Sequence, residues 1–421
     1  QTCSNASPQV TTCNGVVEEF CVTDSPMEVN AFLSIPFADP PARFTVSCVC
    51  KPTPKSNWTG VLQTKTMPPR CIQVSTDPTS EDCLYLNVFA PATGSGGIPD
   101  VTVVYGGAYA TGGARNQGTP EHIAKYIVSK GVVVVVLQYR VGPLGFCTTG
   151  DAVMPGNYGM WDATMALRWI QENIGAFGGN KDEVTMWGGS AGAAIIEGLH
   201  LSPHSTNLFQ KMILFSGVAT NMWDSPVVAN CIGRAQKIGL AWNTSAEFLS
   251  AMISAPASSL GGGWLTVGES GYENRLAEWA PQYDNDFFPT TGAALRAMRS
   301  PKPMITGIAF LDGAGMAGAI NITHNSLNQV VAFMVPETIQ NSSYLREYLV
   351  DSYRTQAALL EPNAQDKHAL QAALGDRTMG AAVDAVSRRY LELFGENQTM
   401  YRYTFKHFNP AAAGASYPFI S

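Results

Sequence analysis

From about residue 84 onward, short runs of β-branched and apolar residues alternate with longer stretches of helical periodicity. Val101 to Tyr105 reads as a strand, and Gly131 to Tyr139 is apolar on both faces, as a central parallel strand requires. Glu121 to Lys130 has a helical pattern, and Asp162 to Ile174 predicts an amphipathic helix. This alternation predicts an α/β fold with a mostly parallel central sheet flanked by helices.

The remaining elements follow the same alternation. A helix is predicted from Ala191 to His200, and the first 50 residues, rich in Cys and Val, predict antiparallel edge strands. Further strands are predicted at Val184 to Trp187, Lys211 to Phe215, Ile305 to Leu311 and Met400 to Phe405.

The composition excludes several classes of protein. Only 14% of the 421 residues are charged, against about 25% in an average globular protein. Acidic residues outnumber basic ones by 33 to 26, and the resulting charge of −7 argues against a nucleic-acid binder, which needs a basic face. No apolar run reaches the roughly 20 residues that span a bilayer, so we expect no transmembrane segment in this chain.

The cysteines and the N-terminus favour the secretory pathway. The chain begins at Gln1 without an apolar signal region, as expected of a mature chain after signal removal. Nine cysteines without a zinc-ligand pattern favour a disulfide framework, and their odd number leaves one thiol free or paired outside the chain. They are Cys3, Cys13, Cys21, Cys48, Cys50, Cys71, Cys83, Cys147 and Cys231. Six N-x-S/T sequons predict glycosylation at Asn5, Asn57, Asn243, Asn321, Asn341 and Asn397.

The segment Gly188-Gly189-Ser190-Ala191-Gly192 contains the motif G-x-S-x-G. The bare motif is weak, because a glycine-rich turn can hold an incidental serine. Here an apolar strand leads in and a helix-forming run leads out, which is the strand–turn–helix context of a nucleophile elbow. The sequence therefore predicts that Ser190 is exposed at the carboxyl edge of the sheet as a nucleophile.

A serine nucleophile also needs donors for the developing oxyanion. Tyr105-Gly106-Gly107-Ala108 follows a predicted strand directly, and a glycine-rich turn there would direct backbone N–H groups into a pocket. We expect the N–H groups of Gly107, Ala108 and Ala191 to form the oxyanion hole. A plain turn is the alternative.

Several long motifs resemble the type-B carboxylesterase, or cholinesterase-like, family of α/β-hydrolases. They begin with Phe32 to Pro41 (FLSIPFADPP) and Ser80 to Val88 (SEDCLYLNV). They continue with Gln138 to Gly142 (QYRVG) and Gly156 to Gly159 (GNYG), and the similarity runs from about residue 9 to the end. The resemblance implies a single α/β-hydrolase domain over residues 1–421, incomplete at its C-terminus. It also implies hydrolysis of a small-molecule ester without a metal or cofactor.

The resemblance implies roles for further residues. Ser190 takes the nucleophile position. The family's acid is often a glutamate in G-x-x-x-x-E-G, and here residues 307–313 read GIAFLDG, so Asp312 takes its place. Asp312 could instead be an ordinary loop residue. Trp223 matches a position that lines the acyl pocket, with ordinary core packing as its alternative.

The family's disulfides map only in part. Cys71 and Cys83 match the first, but the 11 residues between them contain no aromatic residue. Cholinesterases carry there the tryptophan that stacks on choline, and Gly189 replaces a common glutamate, so choline esters are not expected. The second disulfide has no counterpart, and Cys147 and Cys231 need other partners.

The catalytic histidine must follow the acid in chain order in this fold. Three candidates follow Asp312, namely His324, His368 and His407. The family's base lies shortly after the strand that corresponds to Met400–Phe405, about four residues past Ser421. We therefore expect a longer protein whose base lies beyond this chain.

The main hypothesis is a secreted serine carboxylester hydrolase. An inactive cholinesterase-like adhesion or binding glycoprotein is the alternative, and it predicts no base histidine. A lipase would need a long amphipathic lid, for which Gly261 to Val267 (GGGWLTV) is short. The sequence does not specify the oligomeric state.

Overall fold

The computed structural model describes most of the chain, and this description covers residues 9–22, 24–44, 53–92, 96–221, 225–261, 278–309, 312–313, 326–359 and 365–405.

A nine-stranded sheet forms the centre of the described fold. Its strands are β3 (Phe20–Val22), β4 (Val29–Pro36), β8 (Tyr85–Pro91), β9 (Ile98–Val104), β10 (Val133–Leu137), β11 (Gly179–Gly189), β12 (Lys211–Phe215), β13 (Met304–Ala309) and β14 (Met400–Phe405). Their order across the sheet is β14-β13-β12-β11-β9-β10-β8-β4-β3.

The sheet is parallel from β10 to β14 and antiparallel from β3 to β10. This confirms the predicted mostly parallel sheet and the antiparallel edge strands near the N-terminus. The run 131–139 supplies β10, whose five residues are all buried. It pairs parallel with β9 but antiparallel with β8, so it lies where the two parts of the sheet meet.

Short strands form two further sheets. They are β1 (Gln9–Thr11), β2 (Val16–Glu18) and β5 (Val61–Gln63) in one sheet, and β6 (Arg70–Cys71) and β7 (Thr79–Ser80) in the other.

Helices join the parallel strands. They are α1 (Pro120–Tyr126), α2 (Gly142–Phe146), α3 (Tyr158–Asn173), α4 (Ala191–Leu201), α5 (Val227–Lys237), α6 (Ser245–Ser254), α7 (Gly292–Ala297), α8 (Ser326–Met334), α9 (Ser342–Ala358), α10 (Gln365–Gly375) and α11 (Ala381–Phe394). A π-helical turn, Asp376–Gly380, connects α10 to α11, and α8, α9 and α10 share a small core of their own. Among the described helices, none is long and apolar enough to cross a membrane.

The helix α3 differs from the predicted amphipathic helix. Thirteen of its 16 residues are buried, including Asp162, which is 0% exposed. The Arg140 guanidinium makes two hydrogen bonds of 2.7 Å to the Asp162 carboxylate, and the Arg140 N–H donates a third at 2.9 Å. This pairing satisfies the buried charge of Asp162, so the solvent face of the helix is limited to Arg168, Gln171 and Glu172.

The structure contains the Cys71–Cys83 disulfide that the resemblance implies. It also pairs Cys147 with Cys231, a link across 84 residues for which the sequence pattern gave no partner. Cys21 is disulfide-bonded too, while Cys13 has a free and exposed thiol. The free thiol at Cys13 agrees with the odd number of cysteines.

Candidate active site

Ser190 occupies a sharp turn between β11 and α4. Its φ of 54° and ψ of −127° lie in a region that residues with a side chain rarely adopt, at a cost of about 1–3 kcal/mol. The turn is held because the Ser190 N–H donates to the Phe215 carbonyl on β12 at 2.7 Å. Ser190 is partly exposed at the carboxyl end of the sheet. This geometry is that of a nucleophile elbow.

Gly192 lets α4 begin directly against the sheet. A Cβ atom at this position would overlap the carbonyl oxygens of Val104 and Tyr105 at the end of β9. These contacts are to backbone atoms, which cannot rotate away as a flexible side chain can. The second glycine of the motif is therefore needed for the close approach of helix and strand.

We expect Gly192→Ala to destabilise the protein by about 3 kcal/mol, because overpacking against fixed backbone forces a shift of α4. Gly175→Ala is the matched control, since nothing lies within 4 Å of a Cβ at that position. Thermal unfolding of both variants measures the difference. Equal melting temperatures would show that the helix–strand approach tolerates a methyl group.

The turn after β9 lies beside the elbow. A Cβ atom at Gly106 would lie 3.2 Å from the Cβ of Ser190, so the two turns are in contact. Gly107, Ala108 and Tyr109 have successive φ values of 123°, 52° and 60°. The Gly107 carbonyl accepts the N–H groups of Ala110 at 3.0 Å and Thr111 at 3.1 Å, which fixes the turn.

Three backbone N–H groups in this region have no protein acceptor within the part of the chain that the structure describes. They belong to Gly107, Ala108 and Ala191, the residues predicted to form the oxyanion hole. Ala191 is also the first residue of α4, where the helix dipole favours negative charge. Their role as donors to an oxyanion beside Ser190 stays a prediction.

Asp312 follows β13, two strands away from β11. Its Oδ2 accepts the Ala309 N–H at 3.2 Å, and the Ser216 side chain forms a hydrogen bond to its carboxylate. Burial raises the pKa of Asp312, while these hydrogen bonds from Ser216 and Ala309 oppose the rise. Ser190 and Asp312 thus lie at the carboxyl ends of β11 and β13, which both pair with β12.

Ser216 is a site residue that the sequence reasoning missed. It directly follows β12 with a φ of 51°, and its N–H donates to the Gly307 carbonyl at 2.8 Å. Its position in the sequence could have indicated it, because Ser216-Gly217 directly follows a predicted strand, as the Ser190 turn does. Its role becomes visible only when β12 is placed between β11 and β13.

The predicted general base is not among the described histidines. In the described ranges, neither Ser190 nor Asp312 has a histidine partner. The ring of His368, one of the three candidates, is 2.9 Å from the side-chain oxygen of Gln371 on α10. The other two candidates, His324 and His407, lie outside the described residues.

Some of the other predicted positions lie outside the described residues, and some lie within them. Trp223, the predicted acyl-pocket residue, lies outside the described residues, as do Asn5 and Asn321 and most of the segment 261–267. The other four sequon asparagines are exposed, namely Asn57, Asn243, Asn341 and Asn397.

His200 on α4 is a buried histidine behind the elbow. Its ring nitrogen Nδ1 lies 3.2 Å from the Thr206 hydroxyl, and the ring stacks on Tyr390. Burial, and after it the positive charge of Lys302 and two nearby arginines, lowers the pKa of His200 to about 3. The folded protein therefore holds His200 neutral.

This lowered pKa predicts a pH-dependent stability. The unfolded chain binds a proton at His200 below its usual pKa of about 6.5, whereas the folded chain does not. Stability is therefore lost as pH falls from about 6.5 toward 3, by about 1.4 kcal/mol per pH unit from this group. Denaturant unfolding at several pH values should give a shallower pH slope for His200→Gln than for the wild type. Identical slopes would contradict the neutral, buried histidine.

The comparisons with known proteins agree with this fold. Residues 6–419 match the model of the Carboxylesterase family, and the chain belongs to that family. It is 32% identical over 359 residues to bile salt-activated lipase of Bos taurus, which covers 80% of this chain and 58% of that protein. It is 43% identical over 237 residues to carboxylesterase 3 of Homo sapiens, covering 51% of this chain and 40% of that protein.

A nematode relative is matched over more of its length. Esterase cest-33 of Caenorhabditis elegans is 30% identical over 421 aligned positions, which cover 92% of this chain and 72% of that protein. The chain spans about three fifths or less of the bovine lipase and the human esterase. The matched names are those of ester-hydrolysing enzymes.

Proposed function

We propose that the protein is a secreted serine carboxylester hydrolase that works through an acyl-enzyme on Ser190. The observation that carries the proposal is the elbow of Ser190 in contact with the Gly106 turn, together with the N–H groups of Gly107, Ala108 and Ala191, which have no acceptor among the described residues. An exposed hydroxyl beside preorganised donors is suited to acyl transfer. Family membership supports the same reaction class.

The reaction proceeds in two displacements. The Ser190 oxygen attacks the ester carbonyl carbon as a histidine outside the described residues takes its proton, and the carbonyl electrons move onto oxygen. The three N–H groups stabilise this oxyanion. The carbon–oxygen bond to the alcohol then breaks, and the histidine protonates the leaving alcohol. Water repeats the sequence on the acyl-enzyme and releases the carboxylic acid and Ser190.

Asp312 is the proposed acid that orients the histidine. A carboxylate in this role accepts the imidazole N–H, fixes the tautomer and stabilises the imidazolium. Its two described donors, the Ala309 N–H and Ser216, hold the carboxylate in place from the strand side. The proposed chemistry needs neither metal nor cofactor.

The proposed substrates are esters of uncharged alcohols. The Cys71–Cys83 loop supplies no aromatic ring, so it offers no cation–π contact to a quaternary ammonium group. Gly189 adds no negative charge next to the nucleophile. The names of the relatives, carboxylesterase and bile salt-activated lipase, support this choice. The disulfides and the four exposed sequon asparagines support a secreted glycoprotein.

The test is hydrolysis by the natural full-length protein secreted from a eukaryotic host. We expect turnover of p-nitrophenyl butyrate and at least a hundredfold lower kcat/KM for butyrylthiocholine. Loss of mass on glycosidase treatment should report the glycans. A pure, folded protein that hydrolyses neither ester would overturn the proposal, and a preference for the choline ester would overturn the proposed specificity.

A further inference from the structure

Glu197 is a fully buried acid on the nucleophile helix that the proposed reaction does not use. It lies seven residues after Ser190 on α4, which is about two helical turns. Its Oε1 accepts from Arg296 Nε at 2.7 Å and from the Tyr390 hydroxyl at 3.2 Å. Its Oε2 accepts the backbone N–H of Ala219 at 2.6 Å.

The ion pair of Glu197 and Arg296 holds one short segment from two sides. We call residues 216–221 the 216–221 loop. Glu197 binds the Ala219 N–H, and the second terminal nitrogen of Arg296 binds the Thr220 hydroxyl at 3.0 Å. Both partners of the pair are nearly inaccessible, with side-chain exposures of 0% and 7%. The loop is therefore attached to α4 and α7 by charge-assisted hydrogen bonds.

The same loop touches both described members of the proposed triad. Its first residue, Ser216, forms a hydrogen bond to the Asp312 carboxylate. Its second, Gly217, lies so close to the elbow that a Cβ atom there would overlap the Ser190 carbonyl oxygen. A displacement of the loop would therefore move the donor to Asp312 and loosen the packing on Ser190 together.

A buried ion pair is a poor way to gain stability alone. Removing two charges from water costs several kcal/mol per ion, and apolar side chains of similar volume often stabilise as well. The pair instead fixes the position of the 216–221 loop, because its hydrogen bonds to Ala219 and Thr220 are directional. Because placement errors near 1 Å can cost about 10²-fold in rate, such a hold matters for catalysis.

We propose that Glu197 and Arg296, with Tyr390 supporting Glu197, are positioning residues that fix the 216–221 loop so that Ser216 holds the catalytic acid. This inference rests on the proposed function, because it assigns the network a role in that reaction. It predicts that a substitution in this network lowers kcat and moves the acidic limb of the pH profile of kcat/KM, in addition to any loss of stability.

The surroundings of each group set the expected pH effect. The described groups that face Asp312 are Ser216, the Ala309 N–H and Tyr403 on β14. A lost Ser216 hydrogen bond raises the pKa of Asp312, so the acid orients the histidine only at higher pH. Glu197 faces Arg296, Tyr390 and the Ala219 N–H, and no contact of these groups with Asp312 is found among the described residues.

The experiment compares two variants of the natural full-length enzyme with a matched control. Thr220→Val removes one hydroxyl from the loop and keeps its volume, and Glu197→Gln removes the charge. Thr164→Val is the control, because it removes a buried hydroxyl bond of 2.9 Å within α3, away from the site. Each variant is assayed for kcat, KM, melting temperature and the pH profile of kcat/KM.

We expect kcat to fall about tenfold in Thr220→Val and up to about 10²-fold in Glu197→Gln, with KM changed less than twofold. The acidic limb of the pH profile should move to higher pH in both. Thr164→Val should lower the melting temperature and leave the profile unchanged. If Glu197→Gln fails to fold, the kcat and pH profile of Thr220→Val alone test the inference.

Two other results would count against the inference. A folded Thr220→Val enzyme with wild-type kcat and pH profile would overturn it while the esterase activity stands. A wild-type enzyme that hydrolyses no ester and takes up no fluorophosphonate would overturn the proposed function first, and this inference with it.

Discussion

Ser190→Ala is expected to lower kcat for ester hydrolysis by about 10⁶-fold, the scale of loss when a nucleophilic serine is removed. Substrate binding should change little, because the change removes one oxygen from a partly exposed site. Steady-state kinetics on p-nitrophenyl butyrate measures the effect. The melting temperature should stay near that of the wild type, because alanine would adopt the same strained backbone angles as Ser190.

Ser205→Ala provides the control for Ser190→Ala. Its hydroxyl donates to the Leu199 carbonyl at 2.7 Å, near the far end of α4. It is the same chemical change on a segment next to the same helix, and it should leave kcat unchanged. A loss below tenfold in Ser190→Ala would mean that another group carries the acyl transfer.

Asp312→Asn is expected to lower kcat by about 10⁴-fold. An amide in place of the carboxylate can donate, so it favours the wrong histidine tautomer and does not stabilise the imidazolium. The measurement is kcat for p-nitrophenyl butyrate at the pH optimum. A fall below tenfold would show that Asp312 is an ordinary loop residue and that the acid lies elsewhere.

The stability of Asp312→Asn is expected to move in the opposite direction. The pKa of Asp312 is raised in the folded state, mainly by burial, so ionising this carboxyl costs more free energy in the folded protein than in the unfolded chain. The stabilising effect of the neutral form is present at low pH and is lost as pH rises through the raised pKa. At pH 7 the asparagine variant should therefore melt at or above the wild-type temperature. This gain should disappear below about pH 4, where the unfolded carboxyl is also protonated.

The elbow could be predicted from the sequence because its cause is local. The run G-x-S-x-G between an apolar strand and a helix specifies the turn, and Ala191 to His200 proved to be all but the last residue of α4. The strands 211–215 and 400–405 were predicted with the bounds that the structure has. In these segments, side-chain period and strand propensity agree with the final packing.

What the sequence left open depends on contacts between distant segments. The Cys147–Cys231 disulfide joins residues 84 apart, and Glu197 meets Arg296 and Tyr390 across 99 and 193 residues. The burial of Asp162 also comes from a partner on another segment. The hydrophobic periodicity of a helix predicts which face is apolar, but it does not predict which polar side chains will be buried with a partner from another segment.

Covalent labelling is the most direct test that Ser190 is an activated nucleophile. The natural full-length protein is treated with a fluorophosphonate, and the adduct is located by intact mass and peptide mapping. We expect one adduct per chain, on the peptide that contains Ser190, and none in Ser190→Ala. A folded wild-type protein without an adduct, or with one on another residue, would contradict it.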